Sequence, residues 1–128
     1  MKRQMIVALF ASTCLIAGAG TWMATGHAAT GDIEIVADDI GGVVKSTKGP
    51  EAGVWVIAET KDLPNRFVKI VVTDDQGRYV VPDLPKGKYK VWVRGYGLVD
   101  SKQVDAEPGS RVDLTAIVAP DAKAAAEY

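Results

Sequence analysis

The chain has 128 residues, with 15 basic and 16 acidic side chains, one histidine and one cysteine. That length holds one domain, and the interspersed charges exclude the clustered basic surface that a nucleic-acid groove needs. Cys14 and His27 both lie within the first thirty residues. The rest therefore has neither thiol nor imidazole, which excludes disulfides, thiolate or histidine metal sites, and Ser-His-Asp or Cys-His catalysis there.

Lys2 and Arg3 open the chain, and Gln4 to Gly31 then carries no formal charge. Met5 to Gly20 is mostly apolar, and Gly26-His27-Ala28-Ala29 supplies small residues. This order predicts a secretory signal peptide over residues 1–28, cut after Ala28, and a periplasmic or secreted product. A retained anchor is the alternative, because a span needs about 20 apolar residues; only then is a membrane among the partners. Cys14 follows Ala11-Ser12-Thr13, a poor match to a lipobox, and reads as apolar filler. Removing Lys2 and Arg3 leaves 13 basic against 16 acidic residues, a mildly acidic balance.

Residues 29–37 form a lead-in, in which Ile33–Val36 is either a short strand or an ordered approach. Ile40–Ser46 is the first strand, closed by the turn residues Lys48-Gly49-Pro50-Glu51. Val54–Ala58 is a short apolar run with β-branched and aromatic residues, too short for a helix, and predicts a second strand. After the Lys61–Asn65 loop, Phe67–Thr73 sets Phe67, Lys69, Val71 and Thr73 on one face and Val68, Ile70 and Val72 on the other. Asp74-Asp75-Gln76-Gly77 is a tight turn leading into Arg78–Val81.

Pro82–Gly87 is a proline-stiffened loop. Lys88–Arg94 alternates with period two, Tyr89, Val91 and Val93 opposing Lys88, Lys90, Trp92 and Arg94, the clearest strand signal in the chain. Gly95-Tyr96-Gly97 turns, Ser101–Asp105 is a weak strand, and Glu107–Ser110 turns again. Val112, Leu114, Ala116 and Val118 then alternate with Arg111, Asp113, Thr115 and Ile117 in a last strand. Seven short, turn-bounded strands without an amphipathic helix predict an all-β, seven-stranded antiparallel sandwich over residues 38–119. Residues 120–128 form an Ala-rich tail or linker, too short for a free helix, which Asp121 can cap.

Five segments occur in order: Ile40–Val44, Gly49–Val56, Thr73–Tyr79, Leu84–Tyr89 and Gly95-Tyr96. Together they resemble the carboxypeptidase regulatory-like domain, a transthyretin-like sandwich that serves as an accessory module in exported proteins. The resemblance implies that Val54, Val56 and Ala58 point inward, so that Trp55 and Ile57 point outward. It also makes the strand bearing Trp92 a neighbour in the same sheet, so that Trp55 and Trp92 share an outer face, with Val68, Ile70 or Val72 beside them. An apolar patch on a sheet face marks an interface.

Trp55, Ile57, Trp92 and Tyr96 are the candidate contact residues. Their partner is another protein, a further domain or a second copy; a polysaccharide stacked on the same tryptophans is the alternative. Cover by the tail or by Ile33–Val36 would account for the patch without any partner. No catalytic residue, metal or cofactor is expected. Asp74-Asp75 and Asp38-Asp39 come nearest to an all-carboxylate site, and turn solvation explains both. A transthyretin-like hydrolase of small cyclic amides is disfavoured, because that family uses histidines. A Lys45–Asp113 isopeptide is conceivable, but surface placement of the pair is simpler.

Overall fold

The computed structural model describes residues 31–127. The predicted signal segment, with Cys14 and His27, lies outside the described residues. The described chain is all-β apart from one short helix. Its strands are β1 (Ile40–Ser46), β2 (Gly49–Pro50), β3 (Trp55–Thr60), β4 (Phe67–Val72), β5 (Arg78–Val81), β6 (Tyr89–Arg94), β7 (Leu98–Val99), β8 (Val104–Ala106), β9 (Ser110–Arg111), β10 (Leu114–Thr115) and β11 (Ile117–Val118); α1 is Ala122–Ala125.

Two main sheets carry the fold. One is antiparallel, in the order β4-β3-β6-β8. The other is built on β1, whose first half pairs with β5 and β9 and whose second half pairs with β2 and β10. β7 and β11 form a small antiparallel pair. Alternation sends Ile40 and Val44, Tyr79 and Val81, Val56 and Ala58, Tyr89, Val91 and Val93, and Leu114 into one apolar cluster fed by both sheets. Leu84 joins it from the proline-bounded loop. Thr60, Thr73 and Ser101, the buried hydroxyls, each tie a loop or neighbouring strand to the frame by hydrogen bonds.

Several expectations change. The predicted last strand keeps its inward and outward alternation but is three pieces with two partners: β9 and β10 run parallel to β1, whereas β11 leaves to pair with β7. The pairing is thus not antiparallel throughout. The physical cause lies at Gly42. A Cβ there would stand 1.9 Å from the Val112 carbonyl oxygen, so the segment between β9 and β10 passes directly against the β1 backbone. At that point Asp113 Oδ1 accepts from the Val43 N–H at 2.9 Å, a side chain replacing a rung of the ladder. Tyr79 fixes the same spot from below, its hydroxyl donating to the Val112 oxygen at 2.5 Å. The weak sixth strand is shifted to Val104–Ala106, and β2 and β7 are additions that no period could signal at two residues each.

The lead-in is not a strand. Ile35 lies against Gly41, where a Cβ would meet its Cγ1 at 2.9 Å, and Arg78 donates to the Gly31 carbonyl at 2.8 Å. Ile33–Val36 thus lies against the β1–β5 sheet. In the tail, Asp121 caps α1 by accepting from the Ala124 N–H at 2.8 Å, and the helix packs against β7. Lys45 is exposed and pairs in register with Pro50 and Thr115, while Asp113 serves Val43, so the two form no buried isopeptide pair.

Candidate interaction face

The outer face of the four-stranded sheet follows from register. β3 is central, with β4 on one side and β6 on the other. Trp55 stands between Val72 and Arg94, Ile57 between Ile70 and Trp92, and Glu59 between Val68 and Lys90. Cross-strand partners in a sheet share a face, so these residues form three rows across it. Trp55 is 50% exposed, Ile70 51% and Val72 58%, and Val68 is exposed as well. Four large apolar side chains therefore form one contiguous, solvent-facing stripe.

Of the four predicted contact residues, Trp55 lies in this stripe. Ile57 and Trp92 occupy the same face by register but are buried, at 5% and 9% exposure, and so are corrected from contact residues to its support. Ile57 is at the centre of the middle row, where cross-strand neighbours as bulky as Ile70 and Trp92 close over it from both sides. Tyr96 is fully exposed at the tip of the turn after β6, two residues past Arg94, Trp55's register partner. Ile70 and Val72, expected beside Trp55 on this face though not named as contact residues, are fractionally as exposed as Trp55. Their signal was there: apart from Lys69, β4 is apolar on both faces, the pattern of a strand covered on two sides.

Ion pairs rim the stripe. Glu59 meets Arg66 at 2.5 Å, Lys90 meets Asp105 at 2.5 Å, and Arg94 holds Asp100 through two bonds of 2.7 and 2.5 Å. The hydrogen bond to Arg66 lowers the Glu59 pKa, and the bond to Asp100 raises that of Arg94. Each of these charges is answered within the chain, which leaves the face apolar at its centre and locally neutral at its rim.

The other candidate features are structural. Asp74 accepts from the Gln76 and Arg78 N–H groups and from Arg78 Nε, closing its turn; burial pushes its pKa up, and these bonds outweigh that and lower it. Asp39 likewise accepts from the Val36 N–H at 3.3 Å and holds the entry to β1. The tail and the lead-in contact β7 and the β1–β5 sheet respectively, so the cover that would make the apolar face self-satisfied is not provided by those contacts. A separate open groove of about 420 Å³ runs between Tyr96–Gly97 and α1, floored by Val118, Ala122 and Ala125.

No protein-family model matches the chain, and no curated protein matches it at a significant level.

Proposed function

We propose that this chain is an exported, non-catalytic interaction module that docks through the outer face of its β4-β3-β6-β8 sheet onto a partner protein, a further domain or another copy of itself. The reading also takes the fold as a transthyretin-like sandwich of the carboxypeptidase regulatory type. The observation that carries the docking is the stripe of Trp55, Val68, Ile70 and Val72, exposed together on one rigid sheet face and ringed by internally paired charges. Large apolar patches with polar rims mark contact sites, and tryptophan is the residue type most enriched among energetically dominant contacts. The sugar-stacking alternative loses ground because Trp92 is buried, which leaves Trp55 as a single half-exposed indole on that face.

The test pairs Trp55→Ala with Ile70→Ala, avoiding Trp92 because its truncation would disturb the sheet itself. Association, with itself by sedimentation or with an envelope partner by cross-linking, should weaken by about 2 kcal/mol or more if Trp55 is a central anchor. The fold should persist, since Trp55 is half exposed and its loss costs far less than the ~3–5 kcal/mol of a buried Trp→Ala change. Unchanged association in the double variant would remove the proposal.

A further inference from the structure

Among the described residues, β4 pairs with β3 and with no strand on its other side. A six-residue edge strand presents a row of free N–H and C=O groups and is a template for a strand of another molecule. β4 is apolar at five of its six positions, a composition that favours such pairing. The exception is Lys69, and it points inward. It lies between Phe67 and Val71, which pack on the core, and stands opposite the fully buried Ala58. The small Ala58 side chain leaves room for the lysine stem. Lys69 Nζ then donates to the Pro82 carbonyl oxygen, just past the end of β5, at 2.5 Å. The half-buried side chain thus runs from the edge strand of one sheet to the end of a strand in the other.

We propose that Lys69 guards the open edge of β4, keeping it from pairing with a strand of another molecule and so confining contacts to the sheet's outer face. A strand added beside β4 would cover the half-buried Lys69 side chain, whose ammonium reaches the Pro82 oxygen. The charge would then be enclosed with one acceptor for its three N–H donors, and burying a charge so poorly satisfied opposes the addition. Inward-pointing charges on edge strands act in this way.

The experiment compares Lys69→Met, Lys69→Arg and the unchanged protein, each purified as the cell processes it. Lys69→Met keeps the length and apolar stem and deletes the charge. It should associate at least about tenfold more tightly in sedimentation, with thioflavin T binding and new hydrogen-exchange protection of the β4 amides. Lys69→Arg should behave as the unchanged protein. Edge guarding and face docking fail in different assays: Trp55→Ala, which weakens docking on the face, should leave the Lys69→Met association intact. Sedimentation of Lys69→Met identical to that of the unchanged protein, association without β4 protection, or outright unfolding of Lys69→Met would each overturn the proposal, the last by making Lys69 a strut.

Discussion

Replacing Tyr79 by phenylalanine deletes a single oxygen from the point where β1, β5 and the β9–β10 segment meet. The ring is 3% exposed and stays in the core, so packing is conserved. What is lost is the 2.5 Å bond from the hydroxyl to the Val112 carbonyl. A hydrogen bond contributes about 1 kcal/mol net, and leaving its buried acceptor unpaired raises the cost toward ~1–3 kcal/mol. In a domain of roughly 100 residues each kcal/mol moves the melting temperature by about 4–8 °C. Tyr79→Phe should therefore melt about 5–15 °C lower at neutral pH.

The pH dependence gives a second, independent reading. Burial first, and then the Asp113 charge, push the Tyr79 hydroxyl far above its ordinary value of 10.0. The folded state keeps the proton while the unfolded chain releases it. The stabilisation is therefore full below the unfolded value and is lost as pH rises beyond it, at up to about 1.4 kcal/mol per pH unit for one group. Phenylalanine has no proton to lose, so the two proteins should converge in stability as the solution becomes alkaline. The variant should still show some slope, because burial also raises the Tyr89 hydroxyl. Urea unfolding followed by far-ultraviolet circular dichroism, at neutral pH and at about one unit above the tyrosine range, measures both effects. Equal midpoints at neutral pH, or a variant that loses stability with pH as steeply as the unchanged protein, would refute the reasoning.

Gly42→Ala should destabilise at or beyond the upper end of the ~1–3 kcal/mol range for overpacking, because its Cβ would stand 1.9 Å from a backbone oxygen that cannot rotate away; a denaturation midpoint matching the parent would contradict the close crossing. The Arg94–Asp100 pair is bidentate but part-exposed, with side chains 40% and 23% accessible. A double-mutant cycle should return about 0.2–1 kcal/mol, falling with added salt, and a larger, salt-insensitive coupling would show that the rim is better shielded than its exposure implies.

The strands at Ile40–Ser46, Phe67–Val72, Arg78–Val81 and Tyr89–Arg94 are legible in the sequence because alternation and turn residues are local properties. Turn residues mark where a strand stops, and period two tells which side chains share a face. The inward packing of Tyr89 belongs to the same class. The candidate face was legible only in part. Alternation set Trp55 apart from Val54 and Val56, and Ile70 apart from Phe67 and Val71, whereas exposure is a sum over neighbours that alternation does not count.

Chain order by itself therefore determined an all-β domain, the inward and outward sets of its longer strands, and the absence of cysteine and histidine after residue 30. Only the tertiary structure decided that the alternating run from Ser110 to Val118 changes partner part-way, from β1 to β7, because periodicity reports the face of a strand and carries no information on what lies beside it. It likewise decided that Trp92 and Ile57 are buried while Trp55, Ile70 and Val72 face solvent, and that Lys69 reaches Pro82. Each of these depends on residues far apart in sequence coming within a few ångströms, a distance that folding sets.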